Sequence, residues 1–207
     1  MLRRAFLTRV PAAAALVGVG QEPLPAARTE PSRHAQDAWY DELPSRHRAV
    51  FDTWLADHFS GALGFASNWL RINKEEYGLS DKDLGLVIVL RHGTGPFAFN
   101  ESIWTKYGKI FAGRMAAADA KAHPNPTTNV YAARMAAMAK QGVHFAVCNL
   151  TTRGYSRTIA EEAGAGDADA IYKDLTANAV GNAHFVPAGI VAVTRAQEYG
   201  FALVSGG

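Results

Sequence analysis

Apolar residues follow two patterns along the chain, continuous short runs and runs with helical spacing. Segment 84–90 (LGLVIVL) is continuously apolar and rich in β-branched residues, which favours a strand buried on both faces. Segment 143–147 (VHFAV), which follows Gly142, predicts a second strand of this kind. Two shorter apolar segments, 184–186 and 201–204, predict a third and a fourth strand.

Helical spacing of apolar residues predicts what lies between these strands. Before the first strand, Ser45 is placed as the N-cap of one helix and Gly78 as the C-terminal stop of the next. The predicted helices cover 45–58, 62–77, 100–111, 129–141 and 190–199, with two more that begin near Ser156 and after the N-cap Asp167. Strands that alternate with helices indicate an α/β fold with a doubly wound parallel sheet in three layers, of flavodoxin-like type, preceded by N-terminal helices.

The start of the chain does not fit this α/β pattern. Residues 1–27 begin with a basic stretch that contains Arg3 and Arg4, continue with a short apolar stretch and end in Pro-rich sequence. This order is typical of a signal peptide, and the adjacent arginines resemble the twin-arginine export motif. We therefore expect a signal peptide at 1–27, a linker at 28–44 and one α/β domain at 45–207, exported to the periplasm. The alternative is a membrane anchor that is never removed, although the apolar stretch is short for a span.

Composition narrows the class of protein and of partner. Of the 207 residues, 48% are hydrophobic and 19% are charged, which is typical of a globular chain with one proper core. The net charge is only +2 and the basic residues are scattered, so nucleic acid is not an expected partner. No segment after the leader is apolar for long enough to span a bilayer.

Cysteine and histidine content limits the chemistry further. The single cysteine, Cys148, excludes an intramolecular disulfide and a zinc site built from several cysteines. The seven histidines are dispersed and form no metal-binding pair on a predicted helix. Of these, His144 and His184 fall within or at the start of predicted strands, where a structural role is typical. No metal site is therefore assigned from the sequence, and no cofactor either.

Two reactive residue types lie after the carboxyl ends of the two longest predicted strands, His92 and Cys148. Ligands of open parallel sheets bind beyond the carboxyl ends of the strands, and consecutive strands are often neighbours, so we expect both residues to face one crevice. Cys148 also precedes a helix, and a helix N-terminus or a nearby arginine such as Arg153 favours a thiolate. The alternatives are that Cys148 is a small buried hydrophobe and that His92 only forms hydrogen bonds with the crevice walls.

The helix that follows the His92 loop carries three residues at helical spacing, Asn100, Trp104 and Tyr107. Their spacing puts an amide, an indole N–H and a phenol on one face, which would line a pocket at this edge of the sheet. The alternative is ordinary packing of Trp104 and Tyr107 against the sheet.

Segment 142–156 (GVHFAVCNLTTRGYS) resembles the signature of the DsrE/TusD-like family, a Gly-Val strand that ends in cysteine and is followed by Arg-Gly. Segment 185–204 is similar to the last unit of that family, with Val-Pro before the final helix and a Gly-aromatic turn before the final strand. The twin-arginine leader, the His-Gly after the first strand and the Trp-x-Lys-Tyr at 104–107 resemble an exported subgroup whose activity is not settled. The resemblance covers about 45–207.

This resemblance implies a DsrE-like fold in which Cys148 carries sulfane sulfur as a persulfide, in the manner of a sulfurtransferase-like carrier. The predicted catalytic residues are Cys148 and His92, and the predicted substrate-binding residues are Asn100, Trp104, Tyr107, Asn149 and Arg153. The implied partners are further copies of the chain, in a homotrimer or hexamer, and a protein that donates or accepts sulfur. The alternative is a non-catalytic protein that binds a small ligand, a metal ion or haem in the His92/Cys148 crevice, or has an assembly role in the cell envelope with an inert Cys148.

Overall fold

Five parallel strands form one sheet at the centre of the fold. They are β1 (His47–Thr53), β2 (Leu84–Leu90), β3 (Val143–Cys148), β4 (Ala183–Val186) and β5 (Ala202–Ser205). Their order across the sheet is β4-β3-β2-β1-β5. The computed structural model describes residues 31–44, 46–114, 126–164 and 166–206, and Arg33–Gly207 is one unit. The predicted strand 84–90 is thus confirmed as β2, near the middle of the sheet, where every one of its residues is buried.

Helices cover both faces of the sheet. They are α1 (Phe59–Tyr77), α2 (Glu101–Arg114), α3 (Ala132–Lys140), α4 (Asn149–Glu162), α5 (Ala168–Ala177) and α6 (Gly189–Glu198), with 3₁₀ segments at Ala35–Tyr40, Asp81–Asp83 and His92–Ala98. Helices α1 to α5 pack on the first face, whose strand residues include Phe51, Ile88 and Phe145. Helix α6 packs on the second face, against strand residues that include Val50 and Val89. The prediction of a doubly wound, three-layer α/β fold is confirmed.

The helix predicted over 45–58 is wrong, because His47–Thr53 forms strand β1. Val50 and Phe51 are neighbours in sequence but belong to the cores of opposite faces. The strand pairs with β2 along its whole length and with β5 on its other side, so apolar residues are needed on both faces. Because apolar and polar residues do not alternate in such a strand, its sequence pattern resembles that of a helix. The proposed N-cap Ser45 lies outside the described residues.

The linker predicted at 28–44 is wrong for residues 33–44. Ala35–Tyr40 forms a 3₁₀ segment, and the fully buried Tyr40 donates a hydrogen bond from its hydroxyl to the Ala192 carbonyl over 3.1 Å. Leu43 is also buried in the core of the second face. Apolar packing therefore holds this segment on the domain. The signal peptide predicted at 1–27 and the start of the linker lie outside the described residues.

Helix boundaries are partly as predicted. Gly78 ends α1 with a left-handed φ of 64°, and the Asp167 carboxylate caps α5 by accepting the Asp169 N–H over 2.9 Å. Helix α4, in contrast, begins directly after β3 and not near Ser156. The Thr152 hydroxyl donates back to the Cys148 carbonyl over 3.0 Å, so the polar residues expected in a loop are accommodated within the helix. Cys148 is consequently the N-cap of α4.

Within the described part of the chain, no helix combines the length and the apolar character needed to cross a bilayer.

Candidate functional site

The carboxyl ends of β1, β2 and β3 bring Asp52, Arg91 and Cys148 together on the second face. Leu90 pairs with Val147 in the sheet, so the residues that follow them, Arg91 and Cys148, are neighbours. Both side chains belong to the second face, because Arg91 lies two residues beyond Val89 and Cys148 pairs with Val186, which are in the core of that face. Residues from adjacent strands thus meet at the edge of the sheet where ligands of such folds bind.

A carboxylate fixes the Arg91 guanidinium. Its Nε donates to Asp52 Oδ1 over 2.7 Å and its Nη2 donates to Asp52 Oδ2 over 2.9 Å, a bidentate pair. The guanidinium carbon also lies 4.9 Å from the centre of the Trp54 ring. The hydrogen bonds to Asp52 raise the pKa of Arg91 most, partial burial opposes them, and Coulombic attraction to Asp52 and to Cys148 raises it further. The side chain is only 23% exposed, so it has little freedom to leave this position.

The first turn of α6 lies against Arg91. A Cβ added to Gly189 would come within 2.6 Å of Arg91 Cβ, so only glycine permits this contact without displacement. The N-cap residues of α6 and α4, Ala188 and Cys148, form no side-chain cap hydrogen bond. Two helix N-termini whose N-cap side chains form no cap hydrogen bond within the described chain therefore begin at this edge, and their dipoles add to the charge of Arg91.

Cys148 is 5% exposed, and its position is set by β3 on one side and by α4 on the other. Its surroundings combine the Arg91 guanidinium, which Asp52 holds in place, with the start of helix α4. The small exposed fraction admits a small molecule to the thiol more readily than a protein loop. The arrangement suits a nucleophilic thiol that reacts with a small anion.

His92 lies at the same edge as Cys148, but its backbone turns towards α4. Its N–H donates to Thr151 Oγ1 over 3.1 Å, its φ is 51°, and the residue is exposed. Among the described residues, no hydrogen bond joins the His92 imidazole to Cys148. The two predicted catalytic residues are therefore close along the sheet edge without a direct bond between them.

Asn149 and Arg153 connect α4 to α5. The Tyr172 hydroxyl donates to Asn149 Oδ1 over 2.7 Å, and the Arg153 guanidinium carbon lies 4.1 Å from the centre of the same ring. Arg153 also lies 3.9 Å from the Asp169 carboxylate. These contacts hold two helices together, and the arginine that the structure puts beside Cys148 is Arg91.

The three predicted substrate-binding residues at the start of α2 and within it belong to the first face, opposite the side chain of Cys148. Asn100 caps α2 by accepting the N–H groups of Ser102 and Ile103. Trp104 is fully buried and donates its indole N–H to the Pro96 carbonyl over 2.9 Å, and Tyr107 packs partly buried against the same core. Trp104 and Tyr107 therefore pack against the sheet, as the alternative interpretation of the sequence has it, and do not line a pocket with Cys148.

Sequence reasoning missed Asp52, Arg91, Trp54 and Gly189. Arg91 directly precedes His92, so a search for polar residues after each buried strand finds both. Only the alternation of side chains along a strand shows that Arg91, and not His92, is on the same face as Cys148. Asp52 and Trp54 were hidden because their segment was predicted as a helix. No local pattern in the sequence marks Gly189.

The described residues contain no group of three or more His, Cys, Asp and Glu side chains that could hold a metal ion. A metal-binding role for the His92/Cys148 crevice therefore lacks a third ligand of these types within the described chain.

Comparisons with known proteins add little to this geometry. No protein-family model matches the chain, and no curated protein matches it. A solved structure of a protein of unknown function from Methanobacterium thermoautotrophicum is similar, with a TM-score of 0.44 and 15% sequence identity, over 77% of this chain and 98% of that chain. A likeness at this level assigns neither a family nor a function.

Proposed function

We propose that the protein binds sulfane sulfur as a persulfide on Cys148 and acts as a periplasmic sulfur carrier of DsrE-like type. The observation that supports this proposal is the fixed guanidinium of Arg91 beside a cysteine at a helix N-terminus. Sulfur carriers need a thiolate that attacks a sulfur atom and a persulfide that remains anionic. Positive charge near Sγ stabilises both species.

The loading step uses a small donor and needs no separate oxidant. After Cys148 has released its proton to water, the thiolate attacks a terminal sulfur of an inorganic polysulfide dianion. A new S–S bond forms to Sγ, the adjacent S–S bond of the donor breaks, and the shortened polysulfide dianion leaves with the electron pair. Thiosulfate reacts in the same way, with sulfite as the leaving group. The product is Cys148 persulfide.

The burial of Cys148 favours inorganic donors for loading. With 5% of the residue exposed, a polysulfide chain reaches Sγ more easily than a cysteine on the surface of another protein. We therefore expect loading by small molecules to be faster than exchange with protein persulfides.

Intact-mass measurement tests the proposal directly, because Cys148 is the only cysteine of the chain. Folded protein treated with inorganic polysulfide should gain sulfur that a reducing agent removes, and Cys148→Ser should gain none. N-acetylcysteine amide in the same solution serves as the positive control. If the reference thiol gains sulfur and the folded protein does not, the proposal is wrong.

The same 5% exposure favours a second candidate, an assembly role in the cell envelope with Cys148 as an inert core residue. In that case a thiol reagent modifies Cys148 only after denaturation. Cys148→Ser then lowers the free energy of unfolding by about 1 kcal/mol and changes nothing else. Reaction of Cys148 with the thiol reagent in the absence of denaturant excludes this candidate.

A further inference from the structure

We propose that Arg91, held in place by Asp52, selects anionic sulfur donors at Cys148. The inference rests on the proposed function, and it names the substrate class as small sulfur-containing anions. Neither Arg91 nor Asp52 was found by sequence reasoning, and both are joined to the site by the pairing of β1, β2 and β3.

The need for a cation follows from the charges of the reactants. A thiolate and a polysulfide or thiosulfate dianion repel each other, and the repulsion grows as the site excludes water. The Arg91 guanidinium, on the strand next to Cys148, offsets part of this repulsion through its charge, and its planar N–H groups suit sulfur or oxygen atoms of the donor. A neutral donor gains nothing from such a group, so the arginine discriminates by charge.

The carboxylate of Asp52 does not cancel this effect. The strand order puts Arg91 between Cys148 and Asp52, so the positive end of the ion pair is nearer to Sγ. Asp52 lies two strands away from Cys148, a spacing of about 10 Å. The pair therefore acts at Cys148 as a fixed dipole whose positive end faces the thiol.

The bidentate geometry also leaves one donor group free for a ligand. Asp52 binds the edge of the guanidinium formed by Nε and Nη2. Among the described residues, Nη1 has no hydrogen-bond partner, and it lies on the side of the guanidinium away from Asp52. Trp54 and Gly189 restrict the rest of the side chain, so the free donor is held ready without a loss of side-chain entropy on binding.

Two reagents of nearly equal size test charge selection at Cys148. Iodoacetate is an anion and iodoacetamide is neutral, and the ratio of their alkylation rates reports the potential at Sγ. A variant that loosens the fold changes access for both reagents, so the ratio stays informative. We expect this ratio to be higher in the wild type than in N-acetylcysteine amide, and to fall about tenfold in Arg91→Met, the effect of one charge-assisted hydrogen bond.

Sulfur loading from inorganic polysulfide is measured on the same variants. Arg91→Met should load about ten- to a hundredfold more slowly than the wild type. Arg91→Lys keeps the charge but cannot form the bidentate pair with Asp52, and it should load at an intermediate rate. Arg71→Met is the matched control, because Arg71 pairs with Glu75 on the exposed surface of α1 and its loss should leave the ratio and the loading rate unchanged.

The outcomes separate this inference from the proposed function. If the wild type gains sulfur and Arg91→Met matches it in loading rate and in alkylation ratio, the inference is overturned and the proposed function stands. If the wild type gains no sulfur, the proposed function fails, and the alkylation ratio alone decides whether Arg91 selects anions. A Cys148 that reacts with neither reagent in the folded protein overturns both. Equal loading by Arg91→Lys and the wild type overturns the role of Asp52.

Discussion

The two histidines on the second face, His144 of β3 and His184 of β4, predict that mild acid destabilises the fold. His144 Nδ1 and His184 Nε2 are 2.8 Å apart, so one neutral ring donates a hydrogen bond to the other. The Trp39 ring stacks on His184, with 4.0 Å between ring centres and 8° between planes. A proton on the accepting nitrogen breaks the hydrogen bond and puts a charge on a half-buried ring.

The size and the sign of the effect follow from the pKa values. Burial and, to a smaller extent, repulsion from His144 together lower the pKa of His184 from 6.5 to about 4. Burial also lowers the pKa of His144, against an opposing attraction to Glu42. Between pH 6.5 and 4 the unfolded chain binds protons that the folded protein does not, so stability present above pH 6.5 is lost as the pH falls. For His184 the upper limit is about 3.4 kcal/mol, and since the ring is only half-buried, screening by solvent reduces it to ~1–2 kcal/mol.

Urea unfolding at about pH 7 and about pH 4.5 measures this loss. In His184→Gln, where a neutral amide replaces the imidazole, the free energy of unfolding should fall by ~1–2 kcal/mol less between the two pH values than in the wild type. The matched control is His47→Gln, because His47 is exposed at the start of β1 and its replacement should leave the wild-type pH dependence unchanged. Equal pH dependence in the wild type and His184→Gln would refute the reasoning, since carboxylates common to both proteins would then explain the whole loss.

Two substitutions test the packing that the structure adds to the sequence. Gly189→Ala puts a methyl group 2.6 Å from Arg91 Cβ and should slow polysulfide loading of Cys148, measured by intact mass. Because the stem of Arg91 must shift, the free energy of unfolding should also fall, by about 1–3 kcal/mol. An unchanged loading rate would mean that the arginine position does not matter. Tyr40→Ala should lower the free energy of unfolding by about 3–5 kcal/mol, since Tyr40 is fully buried, whereas Tyr77→Ala, at a residue 73% exposed, should change it by less than about 0.5 kcal/mol. Equal effects of the two tyrosine substitutions in urea unfolding would indicate that the segment before β1 is a linker after all.

The central strands could be predicted because their pattern is local. Leu84–Leu90 and Val143–Cys148 are apolar along nearly their whole length, so the sequence also indicates where each strand ends. Strand β1 could not, because its apolar residues match helical spacing equally well. Contacts with distant residues decide whether this segment forms a strand or a helix. One of them is the hydrogen bond that Arg48 Nη1 donates to the Tyr199 carbonyl over 2.8 Å. Such contacts depend on the completed fold and leave no local pattern.

The site was predictable to the level of a sheet edge and no further. Cys148 was assigned from its place at the end of a strand, and the structure keeps it there. The choice of His92 as its neighbour was made by residue type, whereas the structure puts Arg91 beside Cys148 on the same face. Adjacent residues of a strand point to opposite faces, so an error of one position exchanges the two sides of the sheet. The prediction that Trp104 lines a pocket differs from the structure for a related reason. Helical spacing identifies the face of a helix but does not show whether that face is turned to the core.

The path of the chain after β4 explains why polar groups meet under a helix at this edge. Strands β4 and β5 are at opposite edges of the sheet, so α6 must cross the second face between them, and it contacts β3, β2 and β1 on the way. Its first residue, Gly189, therefore passes over the end of β2, where a Cβ on residue 189 would meet the stem of Arg91. The long stem of Arg91 fits beneath a glycine, and its guanidinium reaches towards β1, where Asp52 balances its charge. The neighbourhood of Cys148 thus follows from the crossover itself, which is why substitutions at Gly189 and Arg91 should alter sulfur chemistry as well as stability.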